Sequence, residues 1–284
     1  MGIISKLKRL KQAIEIFKIV LRDGGIQNIT INELSDGELL KGKNIVITGG
    51  GSGIGFAIAK AALKQNARVI ITGRNLEKLL QAKKKLNRDH VFCLEWDIAN
   101  VAIAKQKILE CENIFHAPID ILVNNAGIQP QKFFPDVDEK EWDNVYSTNS
   151  KGTFFICEAM CKCWMNEPMT NYRKIINLSS QGGFVGATYP YRMSKWDIRG
   201  LTEGLGLQMA DCGILVNGIA PGVVKTKMQA FSMKQGNNMY CNQNPLFRVA
   251  LPEEIAELTV FMMSDSCNFM TGQTILVDGG FTLN

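Results

Sequence analysis

The sequence has little that would suit several common classes of protein. It contains only two histidines, His90 and His116, and none of its eight cysteines forms a C-x-x-C pair. Cys157, Cys161 and Cys163 cluster on one expected helix, but neither histidine is near them in sequence. No metal is therefore expected, and the cysteines read as reduced thiols in a cytoplasmic protein. No apolar run approaches the ~20 residues of a membrane span. The N-terminus lacks the apolar core and small-residue cleavage site of a secretory signal. There is no internal repeat and no low-complexity tract. With 46% hydrophobic and 21% charged residues over 284 positions, the composition is that of an ordinary globular chain, which excludes disorder, collagen and a small disulfide scaffold.

The chain also lacks an even spread of charge. Lys6, Lys8, Arg9, Lys11, Lys18 and Arg22 stand against Glu15 alone, so residues 1–22 carry +5, the net charge of the whole chain. The remainder is balanced, which argues against a nucleic-acid-binding face. In the same segment Ile3, Leu7, Leu10, Ile14, Phe17 and Leu21 step by four and three, an apolar seam of helical period beside a mostly basic column. Two readings compete: packing on the chain's own body or a neighbouring subunit, or rest on an anionic membrane surface. Ile16 and Ile19 interrupt the polar face, which favours packing. Asp23-Gly24-Gly25 ends this helix, so residues 1–41 form an extension ahead of a single domain, 42–284.

From Ile45 onward, short apolar runs alternate with helical stretches. Strands are expected at 45–47, 68–72, 91–94, 119–123, 174–178, 214–217 and 274–277. Seven such strands separated by helices imply βαβ units: an α/β, doubly wound parallel sheet with helices on both faces. The first strand runs into Thr48-Gly49-Gly50-Gly51-Ser52-Gly53-Ile54-Gly55, which opens a helix. Glycines there let a backbone approach a pyrophosphate, and the helix start offers free N–H groups to it.

Thr48-Gly49-x-x-x-Gly53-Ile54-Gly55 resembles the glycine motif of the short-chain dehydrogenases/reductases. The family's other motifs follow in order: Asp97-Ile98, Asn124-Asn125-Ala126-Gly127, Asn149, Ser179-Ser180, Tyr191-x-x-x-Lys195, and Pro221-Gly222 with Thr226. Arg248 with Pro252-Glu253-Glu254, then Thr271-Gly272-Gln273 and Val277-Asp278-Gly279-Gly280, complete them. The resemblance covers residues 43–284 and points to the branch like 3-oxoacyl-(acyl-carrier-protein) reductase. It implies a Rossmann-type fold and hydride transfer between a nicotinamide cofactor and a carbonyl or secondary alcohol. It also implies catalytic roles for Asn149, Ser180, Tyr191 and Lys195. Implied cofactor contacts are Gly49, Ser52, Gly53, Ile54, Gly55, Arg74, Asp97, Ile98, Asn124, Ala126, Gly127, Tyr191, Lys195, Pro221, Gly222, Val224 and Thr226. A homotetramer or dimer is implied, joined through the helices after Asn149 and Tyr191 and the last strand.

Tyr191 is read as the proton donor. Lys195, one helical turn on, favours its phenolate, and Ser180 would hold the substrate oxygen. By resemblance, Asn149 would kink its helix and hold a water in a proton relay through Lys195. The interval from Ser180 to Tyr191 is shorter than in many relatives, so either the loop is tight or Ser179 takes the role; the second serine of such a pair is the expected one. No acid stands at 72–74 where an NAD enzyme would hold the ribose 2′-OH, and Arg74 is suited to a 2′-phosphate. NADP(H) is therefore preferred, with NAD(H) possible. Residues 227–247 form the expected lid, rich in Met and amides and without an acid, so a cationic substrate is not selected. Its methionines either line an apolar pocket or fill the core. The rival functions are an NAD-dependent sugar or polyol dehydrogenase, and a catalytically silent dinucleotide-binding scaffold.

Overall fold

The computed structural model describes residues 36–167, 171–226, 228 and 239–283, together with 10, 11, 13–15, 17, 18 and 21. Seven parallel strands form one sheet: β1 (Asn44–Thr48), β2 (Arg68–Gly73), β3 (Val91–Glu95), β4 (Ile121–Asn124), β5 (Arg173–Leu178), β6 (Ile214–Pro221) and β7 (Thr274–Val277). Their order across the sheet is β3-β2-β1-β4-β5-β6-β7. The chain winds outward from β1 on one side, then returns to β4 and winds out on the other. The reversal between β1 and β4 opens a crevice at the carboxyl ends of those strands, the usual ligand position in such sheets.

Successive strand residues face opposite layers. Ile45 and Ile47 of β1 pack with α1 (Gly53–Lys64), α2 (Leu76–Leu86) and α7 (Pro252–Met263). Val46, between them, packs on the other face with α3 (Ala104–Phe115), α5 (Thr153–Met165) and α6 (Pro190–Gln208). The remaining helix, α4 (Glu139–Tyr146), starts on the side-chain cap of Asp138 and leads into a π turn, Ser147–Gly152, before α5. Because both faces are covered, the inner strands are apolar on both sides, which is why their runs are continuous rather than alternating.

Two strand limits differ from expectation by more than one residue. β4 begins at Ile121 rather than Ile119, because the Ile119 carbonyl is taken by Trp164 Nε1 (2.8 Å) and Arg173 Nη1 (2.7 Å). β6 runs on through Gly218-Ile219-Ala220-Pro221, paired throughout with Thr274–Val277. A Cβ at Gly218 would lie 2.7 Å from Thr274 Oγ1, so glycine is what allows that pairing.

At the amino ends of the strands Arg173 bridges Asp120 (2.7 Å) and Glu167 (2.8 Å). All eight cysteines are free thiols; Cys111, Cys157 and Cys161 are buried in the α3/α5/α6 layer and Cys267 in the other. Among the described residues no helix is long and apolar enough to cross a membrane. The described N-terminal positions are helical, but Leu10, Ile14, Phe17 and Leu21 are exposed. At these residues the seam does not pack on the chain's own body, one half of the favoured expectation; the other half, a neighbouring subunit, concerns a second chain. Ile3, Leu7, Ile16, Ile19 and most of the lid lie outside the described residues.

Candidate active site

The turn after β1 departs from ordinary backbone at Gly49 (φ +66°) and Gly53 (φ +57°), where a side chain would be strained. A Cβ on Gly55 would fall 2.4 Å from Asn125 Nδ2 and 2.6 Å from Gly49 O, so helix and turn meet only because that position is bare. Ser52 caps α1 with extended backbone and no side-chain hydrogen bond. The first amides of α1 therefore have no side-chain cap and face the crevice with the positive end of the helix dipole. Such a turn would suit a dinucleotide pyrophosphate. Thr226, beyond β6, lies over Gly53, 3.3 Å from where its Cβ would be. Arg74 is exposed just past β2, and Asp97 is exposed past β3 beside buried Ile98. Pro221 ends β6, the Gly222 N–H donates to Val277 O (2.9 Å), and Val224 is buried and bridges to Ala250.

The segment after β4 is bound to that after β1. Thr48 Oγ1 accepts from the Asn125 N–H (3.0 Å) and the Ala126 N–H (3.1 Å), and Asn125 Nδ2 donates to the Thr48 carbonyl (2.9 Å). Asn124 behaves differently: its amide is spent inside, donating to Asn177 Oδ1 (2.9 Å) and Cys157 Sγ (3.2 Å). What Asn124 can offer a cofactor is its backbone.

Asn149 sits buried in the π turn. Its Oδ1 accepts from the Ile128 N–H (2.9 Å), and its Nδ2 donates to Ile128 O (3.0 Å) and Ser194 Oγ (3.1 Å). A Cβ added to Gly127 would stand 3.4 Å from Asn149 Oδ1 and 3.6 Å from Lys195 Nζ, so these two groups flank one gap. Tyr191 and Lys195 lie in the first two turns of α6. Lys195 Nζ donates to Leu178 O (2.7 Å) and stands 5.5 Å from the Tyr191 ring centre. Burial lowers the Lys195 ammonium to about 8. Burial also raises the Tyr191 phenol, against hydrogen bonds from Ser180 and Gln129 that lower it.

The two serines separate cleanly. Ser179 Oγ donates to Lys195 O (2.8 Å) and is buried, whereas Ser180 is hydrogen-bonded to Tyr191. The short loop between Ser180 and Tyr191 begins with a 3-10 turn, Gln181–Gly183, in which the Gly182 N–H donates to Ser180 Oγ (3.1 Å). The reading of the sequence missed Gln129, Thr48, Ser194 and the Ile128 backbone. Only Thr48, inside the quoted glycine motif, had a signal; the others have no pattern of their own and depend on the chain returning to one place. Phe133 meets Tyr189, two residues before Tyr191 in the chain, edge-on at 4.9 Å.

A separate open cleft of about 740 Å³ lies where α4, the π turn, α5 and α6 meet, lined by Trp142, Tyr146, Phe154 and Asp197 among others. It includes none of the expected catalytic residues.

The family model described as enoyl-(acyl-carrier-protein) reductase matches residues 49–282. The chain is 33% identical over 247 residues to 5-keto-D-gluconate 5-reductase of Escherichia coli, covering 85% of this chain and 96% of that one. It is 35% identical over 249 residues to 3-oxoacyl-(acyl-carrier-protein) reductase of Rickettsia felis, covering 86% and 98%. Among solved structures, a variant of actinorhodin polyketide ketoreductase with NADPH superposes with a TM-score of 0.77 at 27% identity, covering 86% of this chain and 98% of that one. A glucose/ribitol-type short-chain dehydrogenase/reductase from Brucella melitensis gives 0.78 at 28% identity, with coverage of 86% and 98%.

Proposed function

The chain belongs to the short-chain dehydrogenase/reductase family and is an oxidoreductase acting between carbonyl and alcohol; from that premise we propose that it reduces a ketone with NADPH, its natural substrate resembling a 3-oxoacyl thioester. The observation that carries this reading is the Ser180–Tyr191–Lys195 group: a phenol held protonated by burial, hydrogen-bonded to Ser180, with an ammonium one turn along the same helix.

The amides of Gly53, Ile54 and Gly55 would hold the pyrophosphate, Arg74 the ribose 2′-phosphate, Asp97 and Ile98 the adenine, and Lys195 the nicotinamide ribose. When bound, the nicotinamide supplies a hydride to the carbonyl carbon. Ser180 Oγ orients the substrate oxygen, and Tyr191 gives its phenolic proton to that oxygen as the alcohol forms. The Lys195 charge stabilises the phenolate left behind. Asn149 and Lys195 flank the gap beside Gly127, a route for returning a proton to Tyr191. The aromatic Phe133–Tyr189 pair favours an acyl substituent over a polyhydroxylated one. The reduced thiols support a cytoplasmic setting, and the exposed Phe154, Phe155 and Trp196 support a subunit interface on α5 and α6.

A panel of 3-oxoacyl thioesters, keto-sugars and simple ketones, each with NADPH and NADH, tests the reading. Turnover of the thioester with NADPH is expected to lead. A keto-sugar leading would move the substrate to the class acted on by the Escherichia coli relative. No turnover with any ketone would leave a silent scaffold. Tyr191→Phe is expected to lower kcat by about 100-fold or more while leaving NADPH binding intact. Arg74→Ala is expected to weaken NADPH about tenfold and leave NADH nearly unchanged, since a charge-assisted bond contributes about 1.5–3 kcal/mol.

A further inference from the structure

The described residues of the N-terminal segment take no part in the sheet, the turn after β1 or the Tyr191 group. They nevertheless carry an organised surface. Leu10, Ile14, Phe17 and Leu21 stand at helical spacings of four, three and four, and are 59%, 45%, 62% and 70% exposed. At 100° per residue they share one face, a strip about 16 Å long. Four large apolar side chains at that spacing form a continuous patch rather than scattered exposure.

Charge decides what covers it. Residues 1–22 hold the whole net charge of the chain, and the rest is balanced. Lys11 and Lys18 lie about 70–90° around the helix from the centre of the apolar strip, within reach of a surface that the strip enters. Lys18 is also ion-paired with Glu15, the segment's one acid (2.8 Å). A second copy of the segment, laid face to face, would bring five positive charges against five. The neutral body offers no compensating field. An anionic lipid surface receives both features at once: headgroups take the lysines while the strip enters the acyl boundary.

We propose that the helical face of Leu10, Ile14, Phe17 and Leu21, with Lys11 and Lys18 beside it, docks this enzyme on anionic lipid bilayers, lying along the surface rather than crossing it. The inference is independent of which ketone the enzyme reduces.

The test uses the full chain and sedimentation with vesicles of phosphatidylcholine, alone or with about 30 mol% phosphatidylglycerol. The protein is expected to sediment with the anionic vesicles, to remain in solution with the neutral ones, and to be released as salt rises. Ile14→Glu with Phe17→Glu is expected to abolish sedimentation without changing ketone reduction in solution or thermal stability, since both side chains are exposed. Lys11→Glu with Lys18→Glu is expected to weaken it about tenfold or more. Failure of the full chain to bind anionic vesicles overturns the proposal, as does binding that survives the Ile14 and Phe17 substitutions. If those substitutions instead change oligomer size in light scattering while vesicle binding is absent, the strip is a subunit contact and the lipid reading is wrong.

Discussion

Lys195 shows at the scale of one residue how catalysis and stability pull apart. Its ammonium is buried, donates to Leu178 O, and is lowered to about 8. An unfolded lysine titrates near 10.4. Between those values the unfolded chain binds a proton that the folded chain does not, so stability rises with pH across about 8 to 10. Below that window the folded chain holds a desolvated charge at a cost on the order of 3 kcal/mol. Lys195→Met is therefore expected to lose turnover yet melt at or above the wild type near neutrality, with the difference narrowing toward about pH 9.5. Paired melting curves at the two pH values check this. Spacing puts Tyr191 and Lys195 on one helix face, because four residues is one helical turn, but their pairing as a catalytic group comes with the family resemblance. That Ser180 rather than Ser179 meets Tyr191 agrees with the expectation from position in the pair, but its physical reason is tertiary: Ser179 is drawn to the Lys195 carbonyl.

Among the elements, the π turn at Ser147–Gly152 orients Asn149 by widening the helix between α4 and α5. Its close packing rests on a glycine. Gly152 is pressed against its surroundings so closely that a Cβ would lie 2.7 Å from Ile98 O and 3.1 Å from Ser147 O. Both are backbone atoms and cannot move alone. Gly152→Ala is expected to destabilise the chain by about 1–3 kcal/mol and to lower kcat more than it raises KM, because Asn149 moves with the turn. Thermal melts with steady-state kinetics check both halves. The sequence does place the seven strands, since buried parallel strands read as β-branched runs. It does not show the outer half of β6, whose Gly218 and Pro221 read as turn residues, and the distortion at Asn149 is expected only by resemblance, not from the residues themselves. The lid and much of the N-terminal seam lie outside the described residues.

For the whole molecule, chemistry and anchorage occupy opposite edges of one sheet. The turn after β1 and the Tyr191 group lie at the carboxyl ends of the strands. Arg173, bridging Asp120 and Glu167, ties the amino ends. Arg173→Met is expected to cost about 2 kcal/mol of stability with kcat/KM unchanged; urea titration beside the standard assay measures it. The thiols of the two layers have a further use. Burial raises Cys111 to about 12 and Cys161 to about 11, and pushes Cys157 and Cys267 upward as well. At neutral pH none of these is a thiolate, so an alkylating reagent meets them only when the surrounding layer parts. Cys111, Cys157 and Cys161 thus time the opening of one side of the sheet, and Cys267 times the other. The chain carries two native stopwatches, one on each side of β1. Equal labelling rates would mean that the sandwich comes apart in a single event, and unequal rates would say which half lets go first.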